Sequence, residues 1–195
     1  PETDPLEENE ELGLHGRLSF LPAKHVMADA NWEGEDYVVR VRGKVRETVV
    51  FGTNLELTRE ISTVLGEKSI RIHDRIENLS VAPSPLMFVY HCNPGFPVLD
   101  QGTRFVVRSE KSTEWLEDRE VTAEQYTVAN APQAEAQSNV FVHRPLADAE
   151  GNVHVGLIND ALQLGLYWKF PKAEIPLVNQ WQHFIRGTYV TGVEP

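Results

Sequence analysis

Alternation with a period of two residues is what most narrows the folds open to this chain. Tyr37-Val38-Val39-Arg40-Val41-Arg42-Gly43-Lys44-Val45-Arg46 sets apolar side chains against basic ones, and Leu55-Glu56-Leu57-Thr58-Arg59-Glu60-Ile61-Ser62-Thr63 repeats the pattern with acid and base outward. Successive side chains of a strand point to opposite faces, so each run reads as a strand with one face buried. A third, Ser69 to Asn78, follows Leu65-Gly66-Glu67-Lys68, whose glycine and polar residues suit a hairpin turn. Strands joined by turns this short pair antiparallel in sequence order.

The second half continues in the same manner. Thr103–Arg108, Val140–Pro145, Val153–Ile158, Leu162–Phe170 and Leu177–Phe184 have strand character, with Asn159-Asp160-Ala161 as the turn of a hairpin, and Gly187–Pro195 closes the chain. On the Leu177–Phe184 strand, Trp181 and His183 share one face and Gln180 and Gln182 the other. Ser109 to Asn139 is polar, alanine-rich and weakly patterned; apart from one helical turn at Thr122–Gln125 it reads as loop. No stretch has the length and period of a long helix, so the expected fold class is all-β and antiparallel. Residues 1–11 carry six acidic side chains and one apolar residue, Leu6, the composition of a flexible acidic leader. Residues 12–195 are expected to form one domain.

The formal charge of −11 excludes partners held by phosphate neutralisation, because only 18 Lys and Arg are present and they do not cluster. Neither nucleic acid nor a membrane surface is an expected partner. The N-terminal residues have none of the basic and apolar character of a secretory signal, and no apolar run approaches spanning length, so a cytoplasmic protein is expected. A single cysteine, Cys92, precludes an intramolecular disulfide and a thiolate-rich metal site.

The stretch Pro83-Ser84-Pro85-Leu86-Met87-Phe88-Val89-Tyr90-His91-Cys92-Asn93-Pro94-Gly95-Phe96-Pro97 organises the candidate chemistry. Leu86–Tyr90 is a continuous apolar run of strand length and reads as a strand buried on both faces. It delivers His91 to a loop in which two prolines cannot donate to a ladder. An imidazole in that position suits acid–base chemistry, and equally suits a hydrogen-bonded strand cap. His15 lies between Gly13 and Gly16, where the backbone can take positive φ or pass close to a ligand. There is no HExxH, phosphate loop, nucleophile elbow or dinucleotide fingerprint. His15, His73, His91 and His183 match no zinc-ligand spacing, and nothing around Cys92 activates a thiolate.

Five segments in order carry a resemblance: Leu14–Ala23, with its Leu-His-Gly; Arg59–Gly66; Ile76–Leu79; Tyr90–Pro97; and Gly192–Pro195. Together they resemble the aldose 1-epimerase (galactose mutarotase-like) superfamily, most nearly its bacterial branch of uncharacterised epimerase-like proteins (DUF4432-like). The resemblance implies an antiparallel β-supersandwich with a sugar in an open cleft. It implies that His91 is the general acid at the ring oxygen and Glu194 the general base at the anomeric hydroxyl, with His15 binding the ring. Arg17 and Gln180 join the expected substrate contacts, and Asp100 is expected there with Asp160 as its rival. Opening a hemiacetal needs one group to donate and another to withdraw a proton, and no cofactor or metal is expected. The implied function is interconversion of the anomers of an aldose or sugar derivative; the alternative is a carbohydrate-binding or regulatory protein of the same fold. Because members of that superfamily are longer, the domain is expected to be incomplete at both ends.

Overall fold

The structure is a computed structural model and describes residues 14–50, 52–135 and 138–195. The acidic leader, 1–11, lies outside the described residues. The chain divides into two compact units, Pro1–Met87 and Phe88–Pro195, which between them hold the 12–195 stretch expected from the sequence to be one domain.

In the first unit, a single 3-10 turn at Leu18–Phe20 precedes a four-stranded meander. Its strands are β1 (Lys24–Glu33), β2 (Asp36–Thr48), β3 (Asn54–Val64) and β4 (Arg71–Asn78), each antiparallel to the next. The alternating runs are strands β2, β3 and β4, and the hairpin turn closes with Glu67 N–H donating to the Val64 carbonyl at 3.0 Å. Charges tie the strands: Arg59 grips Asp74 on the facing position through two hydrogen bonds of 2.8 and 2.7 Å, and Lys44 reaches diagonally to Glu56 at 2.5 Å. Opposed charges directly across a ladder favour one register over its neighbours.

The second unit holds β5 (Arg104–Val107), β6 (Ser109–Glu114), β7 (Arg119–Glu120), β8 (Asn139–Pro145), β9 (Asn152–Asn159), β10 (Leu164–Pro171), β11 (Val178–Ile185) and β12 (Thr188–Glu194). They form a three-stranded sheet, β10-β9-β5, and a five-stranded sheet, β12-β11-β8-β6-β7, antiparallel throughout. The two sheets share one core. β9 contributes Val153, Val155 and Leu157, and they meet Phe141 of β8, Val178 and Phe184 of β11 and Val193 of β12. Each such side chain stabilises the unit by about 1.5–3 kcal/mol relative to exposure, and it is this alternation that fixes which face of the five-stranded sheet remains outside.

Two expectations are corrected. Leu86–Tyr90 is not a ladder strand: Leu86 and Met87 are exposed, and the segment that pairs lies later, at Tyr90–Pro94. Apolar character there mimicked a buried strand, but Pro83 and Pro85 remove backbone donors just before the run. Conversely, Ser109–Glu114, read as loop, is the strand β6. Its polar composition hides it, because its inward residue, Ser112, faces a polar patch of the core.

That patch surrounds His143, which has no exposed surface. Its ring stacks on Phe105 with centroids 5.4 Å apart and meets the edge of Tyr126 at 4.7 Å. Ser112 Oγ lies 2.9 Å from Nδ1, and Gln180 Oε1 lies 3.3 Å from Nε2. The amide oxygen of Gln180 can only accept, so Nε2 carries the hydrogen and Nδ1 accepts from the Ser112 hydroxyl. Burial pushes the imidazole down to about 4, so it is neutral near pH 7.

Candidate active site

The segment Tyr90–Pro94 runs along the free edge of β12. Tyr90 N–H donates to the Pro195 carbonyl (2.9 Å), Cys92 and Val193 exchange bonds of 3.3 and 2.8 Å, and Thr191 N–H donates to Pro94 (3.3 Å). After Pro94 the chain leaves the sheet, turning so that Leu99 N–H reaches the Gly95 carbonyl. Since Cys92 faces Val193, His91 faces Glu194 as the adjacent pair that exchanges no backbone bonds, the arrangement in which opposed side chains approach most closely.

His91 Nε2 accordingly lies 3.1 Å from Glu194 Oε1, with side chains 28% and 11% exposed. Oε1 is buried and accepts no well-aligned hydrogen bond among the described residues, so the ion-pair distance is a Coulombic contact. Burial pushes the Glu194 carboxyl above its ordinary value, and the neighbouring His91 pulls the other way. Gly192 makes this position available. A Cβ there would stand 2.2 Å from Oε1 and 3.0 Å from Trp181 Cβ, so only glycine lets the carboxylate lie back over its own strand. Trp181 faces Gly192 and presents its ring edge-on to His91 at 6.2 Å. Next along β11, His183 has Ser138 Oγ 2.6 Å from Nδ1 and Thr188 Oγ1 3.2 Å from Nε2.

The remaining expected contacts are placed differently. Gln180 is 2% exposed and points into the core, away from the face that carries His91 and Glu194. Its amide donates to the Tyr126 carbonyl (3.0 Å) while its oxygen faces His143, so it serves packing and has no access to that cleft face. Asp100 is exposed and accepts from Gln101 N–H at 2.7 Å in a tight turn, and its rival Asp160 is clasped by Arg104 at 2.6 and 3.0 Å. Asp100 and burial together push the Tyr189 hydroxyl, which donates to the Asn130 carbonyl, up to about 12, burial being the larger cause. His15 and Arg17 belong to the first unit. His15 and Gly16 both have positive φ (67° and 73°), as a turn there requires, and Arg17 meets Glu47 at 2.8 Å. Among the described residues, no three His, Cys, Asp or Glu side chains come together as a metal site. No described helix is long and apolar enough to cross a membrane.

Trp181 and Gly192 are neighbours of the pair that sequence reasoning did not single out. Alternation already separates Trp181 from Gln180, but only the register of β11 against β12 shows that the tryptophan shares the face of Glu194.

An antiparallel sandwich of this kind is that of the galactose mutarotase-like proteins. The structure is similar, with a TM-score of 0.86 and 26% identity, to a crystal structure of a putative aldose 1-epimerase from Klebsiella pneumoniae subsp. pneumoniae, over 93% of this chain and 48% of that one. The chain thus spans about half the length of the Klebsiella protein. Residues 2–195 match the family model described as a domain of unknown function, DUF4432, and the chain belongs to that family. No curated protein matches it.

Proposed function

We propose that the protein is an aldose 1-epimerase-like isomerase of the bacterial epimerase-like branch, acting on a monosaccharide or sugar derivative, with His91 as acid and Glu194 as base. The observation that carries this reading is the buried Oε1 of Glu194, which accepts no well-aligned hydrogen bond yet stands 3.1 Å from an imidazole nitrogen. An acceptor withdrawn from water and given no well-aligned donor is suited to a donor brought by a ligand. The anomeric and ring oxygens are both bonded to one carbon, so two groups this close together match their separation.

Glu194 takes the proton of the anomeric hydroxyl while the bond from the anomeric carbon to the ring oxygen breaks and His91 protonates that oxygen. Rotation of the resulting aldehyde and reclosure on its other face return both protons, so neither metal nor cofactor enters the balance. The raised carboxyl makes Glu194 a stronger base than an ordinary glutamate, and Trp181 beside His91 offers an apolar surface for a pyranose ring. The whole protein's substrate lies within the same proposal, as does a contribution of His15 or Arg17 to binding it.

Mutarotation of a panel of aldoses, followed by polarimetry and NMR, tests the reading. His91→Asn and Glu194→Gln should each slow interconversion by about 10²-fold or more while leaving the fold intact. The double variant should fall little further, because residues acting as a unit are not additive. Saturable sugar binding with no acceleration by the unmodified protein would replace the enzyme with a carbohydrate-binding protein.

A further inference from the structure

The face that carries Glu194 extends well beyond it. Strand pairing lines up Glu194, Asn179, Val142 and Thr113 in one row across β12, β11, β8 and β6, with His91 at the open end. A second row, one pleat along, holds Gly192, Trp181 and Val140, and Trp115 joins it by donating its N–H to the Val140 carbonyl at 3.0 Å. Over the far part of both rows lies a cavity of about 270 Å³, lined among others by Thr113, Val142, Trp115, Lys111, Arg144 and Asp118.

This cavity has the parts of a saccharide subsite. Trp115 is 51% exposed at the start of the turn between β6 and β7, a half-open aromatic surface of the kind that pyranose faces pack upon. Lys111 and Arg144 face each other across β6 and β8, and both are exposed. In the same unit Arg104 pairs with Asp160, Arg119 with Glu114 and Lys172 with Glu110. Lys111 and Arg144 enter no ion pair among the described residues, although Glu110 lies near enough to Arg144 to have its carboxyl lowered in part by that charge. Asp118 is the one carboxylate in the lining, which leaves the cavity net positive in a chain of net charge −11. Two cations kept together on so acidic a protein favour an anion there.

Distance decides how that anion is attached. Val142 and Thr113 lie two and three strands from Glu194, about 10–14 Å at the usual interstrand spacing. One pyranose ring seated on His91 and Glu194 does not fill that span. We infer that the cavity is a second subsite, which takes an anionic group, a carboxylate or a phosphate ester, carried on a substituent or second sugar beyond the ring whose anomeric carbon meets Glu194. The inference rests on the proposed mutarotase reading for its account of the first ring, and on the cavity alone for the anion.

The test compares the intact protein with Lys111→Gln/Arg144→Gln on four probes: glucose, glucose 6-phosphate, a neutral reducing disaccharide and a reducing disaccharide ending in a uronic acid. Mutarotation kinetics should show KM for an anionic probe lower than for its neutral counterpart by about tenfold or more, as charged hydrogen bonds allow. That preference should vanish in the double variant, with kcat and the neutral KM unchanged. Which anionic probe gains tells phosphate ester from carboxylate. Equal KM values in the unmodified protein, or a preference that survives the substitutions, would overturn the subsite and leave the His91–Glu194 mechanism standing. If no probe is turned over, the mechanism falls, and the subsite is judged by NMR titration on the Trp115 indole signal. Tighter binding of the anionic probes that the double variant loses supports it, and equal binding of charged and neutral probes refutes it.

Discussion

Lowering the pH from 7.5 to 5 should destabilise the second unit through one side chain, His143. Its imidazole is sealed between Phe105, Tyr126, Ser112 and Gln180 and is pushed down to about 4, whereas in an unfolded chain it titrates near 6.5. Between those values the unfolded chain binds a proton that the folded one refuses. Stability is therefore intact above pH 6.5 and is lost as pH falls towards 4. With these two values, linkage gives a loss of about 2 kcal/mol between pH 7.5 and pH 5, approaching about 3 kcal/mol below pH 4. The assay is urea unfolding at both pH values in a Trp32→Phe background, so that Trp115, Trp168 and Trp181 report on the second unit. His143→Gln retains a donor and an acceptor but cannot titrate, and its loss over the same interval should be smaller by about 2 kcal/mol. Other ionisable groups contribute equally to both proteins and cancel in that difference. Equal pH sensitivity of the two would refute the reasoning. So would an imidazole NMR titration in which His143 protonates near 6.5 in the folded protein.

Gly192→Ala should act on chemistry more than on folding: a Cβ 2.2 Å from Oε1 must displace the carboxylate from His91, so mutarotation should fall to near the level of Glu194→Gln with circular dichroism unchanged. Glu194→Gln should raise the melting temperature at pH 7. A carboxyl raised by burial adds stability only below its unfolded value and forfeits it as pH rises through the folded one, and differential scanning calorimetry at pH 4 and 7 checks the sign. Gln180→Ala leaves the Nε2 hydrogen of His143 and one bond to the Tyr126 carbonyl unmatched and should cost about 1–3 kcal/mol in urea unfolding. Its sugar KM should not move, since the side chain is on the core side of β11; a large rise in KM would restore it as a substrate contact.

The hairpins were legible because their signal is local. β2 and β3 alternate over long runs, and β9 and β10 are strand-length runs joined by the turn Asn159-Asp160-Ala161, so no partner is needed to see them. β6 was not, because Ser-Glu-Lys-Ser-Thr-Glu becomes a strand only where Ser112 can meet a buried histidine from another strand. The same buried histidine explains Gln180. On β11 the usual sorting is inverted, with glutamines turned inward to a polar core patch and Trp181 outward, and nothing on one strand foretells what the opposite sheet will present. His91 was singled out by its place after an apolar run, but its pairing with Glu194 came from a family resemblance, since the two stand near opposite ends of the second unit's sequence. Their placement opposite each other follows from a register that only the folded sheet displays.

The short ladder between Tyr90–Pro94 and Thr191–Pro195 joins the beginning of the second unit to its end. For a folding chain this is the most distant pairing the unit contains. Closing so long a loop costs little more than closing one half as long, about 0.6 kcal/mol per doubling, but contacts of large sequence separation are slow to form. His91 and Glu194 would thus meet late, after the sandwich that supports them. Being held by a handful of bonds along one sheet edge, they also stand where amide exchange reports the earliest opening. A cell making this chain would gain the sandwich before the His91–Glu194 contact, and mild denaturant would remove that contact before the sandwich.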